Sequence, residues 1–319
     1  MLQVIYTLAP VFITIALGLI LTRSGFLSKA FLDDLNQFIY WIGLPLLILK
    51  SLATADKFDF ENIYLMIIFL VSTGVIVFLS YMAKNYLHIE NPSLGTFIQA
   101  AFRGNLAFVA IPIILFALYH HPQEQIRKAE TLAFITFAPT MLFYNIVSVI
   151  VLVKFSNNTE PRSPAKTLWS IVSNPLILAS ILGLIIYSTD YKMPEFLLNS
   201  CSYIGNISGP TALLCVGGAM AHAALKGHQL KSFVASCFKV FLLPLVALVC
   251  SLPFNLSEEA LFVLLILSAS PVATASYVLV KSLKGDEDLS SNSIVMSTVL
   301  SIISLSVVIS FYTPKLISG

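Results

Sequence analysis

Two apolar stretches of the sequence contain helix-breaking residues and small polar residues near their midpoints. The first, residues 101–113, reads AFRGNLAFVAIPI and contains Arg103, Gly104, Asn105 and Pro112. Proline lacks an amide donor and clashes with the preceding helical turn, and Gly and Asn adopt non-helical angles readily. We therefore expect this helix to unwind. The half-helix that follows would present free N–H groups and a positive dipole end, which suit an anion or a carboxylate.

The second stretch, residues 267–277, reads LSASPVATASY and contains Ser270, Pro271 and Thr274. Unpaired backbone groups at membrane depth are tolerated only where they face protein or a water-filled cavity. Two such breaks therefore indicate a polar cavity between helices. The alternative is a pair of ordinary kinks, because Pro and Gly are frequent in membrane helices.

A third apolar stretch, residues 130–153, contains hydroxyl and amide groups. Thr136, Thr140 and Tyr144 are spaced four residues apart, so they share one helix face. That face and the neighbouring Asn145 are candidates for lining the cavity. Helix packing is the alternative role for such residues in membranes.

Basic residues inside apolar stretches need a partner or access to water, because burying a charge in the bilayer costs several kcal/mol. Arg103 lies about ten residues into its stretch, where it would hold a carboxylate, donate to carbonyls at the break or reach the cytoplasmic edge. Lys239 lies nearer the start of the stretch 232–252, and we expect it to extend to the interface. No acidic residue is expected deep within a stretch. No histidine or cysteine spacing predicts a metal site, and no cofactor is indicated.

The composition explains why these stretches are read as membrane helices. The chain has 319 residues, of which 57% are apolar and 11% charged, and its mean hydropathy is +0.89. Soluble domains carry about 45–50% apolar and about 25% charged residues. The sequence therefore predicts an integral membrane protein in contact with the lipid bilayer. The basic residues are scattered, which argues against a nucleic-acid partner.

Ten apolar runs are each long enough, at about 20 residues, to span a bilayer as a helix. They are continuously apolar rather than alternating, so the fold class is all-α with ten transmembrane helices and not a barrel. The predicted spans are 4–22, 35–54, 62–83, 94–118, 130–153, 168–187, 196–221, 232–252, 259–281 and 290–312.

The loops between these spans differ in charge. One set of loops carries ten of the eighteen Lys and Arg residues, and the set that includes the termini carries six. The positive-inside rule then predicts a multi-pass protein of the cell (inner) membrane with both termini outside, on the periplasmic side. Residues 154–167 are predicted to be a cytoplasmic linker between two groups of five spans.

The two groups of spans align when the chain is shifted by 165 residues, which indicates a duplication. Residues 1–153 form the first repeat and residues 168–319 the second. Because each repeat has an odd number of spans, the second would enter the membrane from the opposite side, as in the inverted repeats of secondary transporters. The superposed pairs are Pro10 with Pro175, Gly18 with Gly183, Pro45 with Pro210, Gly104 with Ala269, and Asn105 with Ser270.

These motifs resemble a known family. Asn105 followed seven residues later by Pro112, and Ser270-Pro271 followed by Lys281, look like the fourth and ninth helices of the auxin efflux carrier family. The short linker is similar to that of bacterial members. Ala110 stands where a glycine commonly precedes the Ile-Pro pair.

The resemblance implies that the broken fourth and ninth helices cross and bind the substrate where they cross. It implies a scaffold from residues 1–55 and 168–223, a transport domain from 60–153 and 230–313, and small organic anions as substrates. Expected partners are a carboxylate substrate, a coupling ion (proton or sodium) and a second copy bound through the scaffold helices. The candidate substrate-binding residues are Arg103, Gly104, Asn105, Pro112, Tyr144, Asn145, Ser270, Pro271 and Thr274.

The predicted function is therefore an organic-anion carrier of the elevator type, either secondary active or facilitative. Three other functions are alternatives to it. An intramembrane hydrolase is disfavoured because the chain has no H-E-x-x-H and no G-x-S-x-G motif, and we expect no enzyme activity. A sodium-coupled carrier of the related bile-acid type and a membrane sensor that binds a ligand with the same fold remain alternatives.

Overall fold

The computed structural model describes residues 2–55, 60–118, 122–155, 173, 175–189, 191–223 and 227–318. Within these residues the backbone is almost entirely helical and forms no β-strand. One isolated antiparallel bridge joins Gly104 to Val272. Most of the predicted linker and the start of the predicted sixth span, residues 156–172, lie outside the described residues.

The helices before the linker follow the predicted spans, with the second and fourth spans each divided. Ser28 caps the start of α2 by accepting a hydrogen bond from the Phe31 amide at 3.1 Å. The helices are α1 (Leu2–Arg23), α2 (Lys29–Phe38), α3 (Leu44–Ala53), α4 (Phe60–Leu87), α5 (Ser93–Phe102), α6 (Ile111–Leu118) and α7 (Gln123–Lys154).

The helices after the linker also include two divided spans, the predicted eighth and ninth. Ser257 caps the ninth span by accepting from the Ala260 amide at 3.3 Å. The helices are α8 (Pro175–Ser188), α9 (Glu195–His222), α10 (Gln229–Cys237), α11 (Leu243–Ser251), α12 (Glu258–Ala269), α13 (Ala275–Ser282) and α14 (Glu287–Ser318).

Three π-helical turns, Ile39–Gly43, Leu106–Ala110 and Phe238–Leu242, widen the second, fourth and eighth spans. Each is followed two residues later by a proline, which has no amide to donate and displaces the preceding turn. The residue before each proline donates instead to the carbonyl five residues back, as a π-turn requires. These pairs are Leu44 with Ile39, Ile111 with Leu106, and Leu243 with Phe238.

Six helices of the described chain are long and apolar enough to cross a membrane, judged by length and composition. Four shorter apolar helices accompany them: Leu8–Arg23, Ser93–Phe102, Leu106–Leu118 and Pro175–Ser188. Two of these four, Ser93–Phe102 and Leu106–Leu118, are the halves of the broken fourth span.

Small residues allow close helix packing in one part of the molecule. A Cβ atom added at Gly18 would collide with the Leu214 carbonyl, and one at Gly217 with the Ile15 carbonyl, so α1 and α9 touch through their backbones. Such close approach of small residues is a main source of helix association in membranes. Helices α2, α3 and α8 complete this first packing group.

Helices α4, α5, α7, α10, α11, α12 and α14 pack against one another as a second group. Helix α6 and the π-turn Leu106–Ala110 extend from this group to contact α1 and α9 of the first. The break in the fourth span therefore lies beside the surface between the two groups.

Candidate binding site at the helix crossing

The breaks of the fourth and ninth spans meet through their backbones. The Asn105 amide donates to the Pro271 carbonyl at 2.7 Å, and the Ala273 amide donates to the Arg103 carbonyl at 2.9 Å. These two bonds form the bridge between Gly104 and Val272. They satisfy backbone groups that unwinding removes from the helices, as a non-aqueous environment requires.

The local sequence explains where each helix stops. Arg103 has an extended backbone (φ −75°, ψ 93°) after α5, and Ser270 is extended (φ −59°, ψ 145°) after α12. Pro271 disfavours a helical conformation for Ser270, because its ring clashes with the residue before it. The predicted unwinding at Gly104 and at Pro271 is confirmed.

Gly104 permits the close approach of the two breaks. A Cβ atom at this position would lie 2.6 Å from the Ser270 Oγ and 2.8 Å from the Lys239 Cε. These separations are too short for any side chain without displacing its neighbours. The absence of a side chain at residue 104 thus brings three spans together at one point.

Asn105 is buried, with 3% of its surface exposed, at the start of the π-turn. Its carbonyl accepts from the Val109 and Ala110 amides at 3.1 and 3.2 Å. Its side-chain Nδ2 has no hydrogen-bond partner among the described residues. An unsatisfied buried donor costs about 1–3 kcal/mol, so this amide is suited to donate to an acceptor on a bound molecule.

Arg103 is buried with 6% of its surface exposed, and its guanidinium binds α7. It donates to the Asn145 Oδ1 at 2.9 Å, the Ser148 Oγ at 3.0 Å and the Tyr144 carbonyl at 3.4 Å. All three acceptors are uncharged. Of the three sequence alternatives for Arg103, the structure thus favours internal hydrogen bonding, with α7 rather than with the break.

Tyr144 is fully buried, and its hydroxyl faces the Gly104 backbone and the Thr73 side chain without completing a hydrogen bond. On the same helix face, the Thr140 hydroxyl donates to the Thr136 carbonyl at 2.7 Å, and the Thr136 hydroxyl has no partner within the described ranges. The predicted shared face of α7 therefore carries two polar atoms that lack partners.

The remaining predicted site residues lie where the outgoing half-helices begin. Pro112 is the second residue of α6 and lies 3.7 Å from a Cβ placed on Gly209 of α9. Thr274 is half-buried and immediately precedes α13. Arg103, Gly104, Asn105, Ser270 and Pro271 are thus in direct proximity, Tyr144 and Asn145 join them through Arg103, and Pro112 and Thr274 lie further along.

The expectation that Lys239 extends to the interface is wrong. Its helix begins at Gln229, so Lys239 lies ten residues in, or about 15 Å at 1.5 Å per residue. The side chain is fully buried, and its Nζ donates to the Ser268 carbonyl. Lys239 is as far from Gln229, where its helix begins, as Arg103 is from Ser93. This equal spacing could have predicted that Lys239 is buried like Arg103.

Two further residues of the crossing were not predicted individually. The Ser297 hydroxyl of α14 accepts from the Val272 amide at 2.9 Å and so fixes the second break. Gln99 is buried in α5, and its Nε2 has no partner. Most other hydroxyls of the serine-rich α14 donate to carbonyls of their own helix; Ser293 and Thr298 are examples.

Glu130, at the edge of a predicted span, lies within a helix and contacts the other packing group. Helix α7 begins at Gln123 rather than near residue 130, so Glu130 lies about two turns inside it. Glu130 Oε2 accepts from the Ser51 Oγ of α3 at 3.3 Å. Lys50 and Arg127 are close enough to interact with it electrostatically. This contact joins the two packing groups.

The charges at the crossing are positive. Neither Arg103 nor Lys239 forms an ion pair in the part of the chain that the structure describes. Nor do the described residues contain a cluster of three His, Cys, Asp or Glu side chains that could hold a metal. The crossing therefore offers cationic and N–H groups to a ligand rather than anionic oxygens.

A family model described as "Membrane transport protein" matches residues 3–309, which is nearly the whole chain. The chain belongs to this membrane transport protein family. The family is the auxin efflux carrier-like one, so the resemblance inferred from the fourth and ninth spans is confirmed at family level. No curated protein sequence matches the chain.

Family membership makes the protein a membrane transporter and places it in a transporter family rather than an enzyme family. The apolar helices agree with a multi-pass membrane protein. For this membrane transport protein, the crossing of the broken helices is the candidate site.

Proposed function

We propose that this membrane transporter carries a small organic anion, a carboxylate, as a facilitative or secondary active carrier. The observation that supports the anion most directly is the buried side-chain Nδ2 of Asn105, a donor without a partner in the described part of the chain, where the broken fourth span resumes. A half-helix that begins at such a break directs free N–H groups and a positive dipole end toward the ligand.

Two buried cations strengthen this proposal. Arg103 and Lys239 flank Gly104, and neither is paired with a carboxylate within the described ranges. Since an uncompensated charge in a low-dielectric site is costly, an anionic ligand would lower the free energy of the crossing. A neutral or cationic substrate would not.

We also propose ten spans arranged as a 5+5 inverted repeat. The divided fourth and ninth spans, α5 with α6 and α12 with α13, occupy equivalent positions under the shift of 165 residues. The packing group around α1, α3, α8 and α9 corresponds to the proposed scaffold, residues 1–55 and 168–223. The second group corresponds to the transport domain, residues 60–153 and 230–313, which moves past the scaffold as a rigid body.

Uptake into proteoliposomes tests the substrate class. The purified protein is assayed with monocarboxylates, dicarboxylates, indole acids and neutral analogues, in sodium and in choline salts. Uptake of at least one carboxylate and of no neutral analogue supports the proposal. Binding without uptake would favour a sensor, and uptake of neutral compounds alone would contradict an anion carrier.

A cross-link between the two packing groups tests the rigid-body motion. Ser51 of α3 and Glu130 of α7 are in hydrogen-bond contact across the proposed sliding surface. In a background with the four native cysteines replaced by serine, a disulfide between Ser51→Cys and Glu130→Cys should abolish uptake, and reduction should restore it.

The matched control is a disulfide inside the proposed transport domain. Ser93 at the start of α5 donates to Asp286 just before α14. Linking Ser93→Cys to Asp286→Cys should leave uptake intact, because both positions would move together. Full uptake by the protein cross-linked between residues 51 and 130 would contradict the elevator mechanism.

A further inference from the structure

Glu130 is an acidic side chain that the proposed binding site does not use, and it lies where the two packing groups touch. Its Oε2 accepts from the Ser51 Oγ of α3 at 3.3 Å. By contrast, the hydrogen bonds of the Arg103 and Ser297 side chains stay within the second group. Ser51 is buried, with 4% of its surface exposed, so its hydroxyl needs an acceptor inside the protein. Glu130 of the other group supplies that acceptor.

The charges around Glu130 favour this contact. Lys50, next to Ser51 on α3, belongs to the first group, and Arg127 lies one turn before Glu130 on α7. Both cations are close enough to the Glu130 carboxylate to interact with it electrostatically. Arg127 stays beside Glu130 wherever α7 moves, but Lys50 does not. A displacement of α7 would therefore cost the carboxylate its hydrogen bond and one of its two neighbouring cations.

The α3 side of the contact is held firmly in the first group. A Cβ atom added at Gly205 of α9 would lie 3.1 Å from the Leu47 Cβ. One added at Gly183 of α8 would lie 2.8 Å from the Leu52 Cβ. Because such close packing leaves α3 no room to shift against α8 and α9, Ser51 keeps its position within the first group.

The α7 side of the contact is held equally firmly in the second group. The Lys128 Nζ lies 3.4 Å from the Glu259 Oε2 near the start of α12. Further along α7, Arg103 donates to Asn145, about 22 Å from Glu130 at 1.5 Å per residue. Glu130 therefore moves only with its group. A contact between two rigid bodies is either formed or broken, which is how such interfaces switch between discrete states.

We propose that the Ser51–Glu130 contact, with Lys50 beside it, is a latch that sets the resting position of the second group against the first. The proposal deepens the proposed function, because it rests on the rigid-body motion of the transport domain. The formed latch keeps the end of α3 and the start of α7 together. Its release shifts the population toward the alternative position, since only the first position contains the contact.

Distances between two spin labels test the latch without any substrate. Asn199→Cys on α9 and Glu124→Cys on α7 place one label on each group in the background without native cysteines. Both positions are exposed, and both lie near the latch, because the neighbouring Cys201 interacts electrostatically with Lys50 and Glu124 begins the helix of Glu130. Double electron–electron resonance in lipid nanodiscs gives the distribution of distances.

Three variants of the labelled protein are compared with the labelled parent. Ser51→Ala removes the hydrogen-bond donor of the latch, and Glu130→Gln removes its negative charge. Glu259→Gln is the matched control, because it removes a carboxylate charge from an ion pair that lies inside the second group.

The labelled parent and Glu259→Gln should show one dominant distance. Ser51→Ala and Glu130→Gln should each show a second distance that differs by about 5 Å or more, one helical turn. The ratio of the second population to the first should rise about tenfold, as expected for losing a hydrogen bond to a charged group. Unchanged distributions in both latch variants would overturn the proposal. So would an equal shift in Glu259→Gln, or a parent that already populates both distances equally.

Carboxylate uptake by the unlabelled wild type separates the latch from the carrier function. Uptake together with distances that ignore Ser51→Ala and Glu130→Gln would contradict the latch and leave the carrier function intact. Distances that shift in both variants of a protein that takes up no carboxylate would contradict the carrier function and support the latch.

Discussion

Arg103 and Lys239 lie at the same distance from the starts of their helices, yet their surroundings differ. Arg103 donates to two side chains and one carbonyl of α7, whereas Lys239 donates to the single carbonyl of Ser268. Arginine presents five donors in a planar fork, and lysine is a compact point charge. The comparison indicates that Arg103 fixes the first break to α7 and that Lys239 contributes charge at the second.

Substituting Arg103 and Lys239 each by Met should give the largest difference in the free energy of unfolding. Arg103→Met leaves the Asn145 and Ser148 side chains without their donor, so we expect the free energy of unfolding to fall by roughly 2–4 kcal/mol. Lys239→Met removes one hydrogen bond, to the Ser268 carbonyl, together with a buried charge that is costly without an ionic partner, so we expect a smaller loss of about 1 kcal/mol or less. Thermal unfolding in detergent measures both changes.

A third variant checks the expected difference in stability between Arg103→Met and Lys239→Met. Asn145→Ala should reproduce part of the Arg103→Met loss, because it removes one of the same hydrogen bonds. Equal destabilisation by Arg103→Met and Lys239→Met would show that the two cations have the same role and would contradict the comparison.

Asn105→Ala should have the next largest effect, and on binding rather than on folding. The side-chain Nδ2 of Asn105 has no partner among the residues that the structure describes, so its removal should weaken carboxylate binding by about 1–3 kcal/mol. The melting temperature of the ligand-free protein should hardly change. Asn199→Ala, an exposed position on α9, serves as the control, and wild-type affinity in Asn105→Ala would exclude a binding role for this residue.

Ser297→Ala should have the smallest effect, confined to the second break. It removes the acceptor of the Val272 amide, and we expect a loss of about 1 kcal/mol in stability. Ser306→Ala on the same helix is the matched control, because the exposed Ser306 hydroxyl donates to the Ile302 carbonyl of its own helix. Identical melting temperatures for the two variants would mean that Ser297 does not support the crossing.

The positions of the breaks could be predicted from sequence because they depend on local chemistry. Gly104, Asn105 and Pro271 each disfavour a continuous helix whatever surrounds them. The π-turn before Pro112 follows from the same local rule, but breaks were predicted only in the fourth and ninth spans. The π-turns before Pro45 and Pro244 were therefore not predicted.

The partners across the crossing could not be predicted, because they depend on how separate spans align. Many serines in the tenth span are chemically equivalent in the sequence, and only packing selects Ser297 as the acceptor for Val272. Lys239 was misplaced for a different reason. The start of its helix was set at the first apolar residues, although the helix begins at Gln229, and a shift of a few residues moves a lysine from the interface to the interior.

The bonds that join the two breaks connect main-chain atoms only, Asn105 to Pro271 and Ala273 to Arg103. Any residue other than proline can supply the amide at position 273, and any residue at all can supply the carbonyl at position 103. The hydrogen bonds of the crossing therefore do not depend on the side chains of Val272 and Ala273, which contribute through their burial instead. A substitution at position 272 or 273, proline at 273 excepted, would thus alter the packing beside the crossing while leaving its two main-chain hydrogen bonds available.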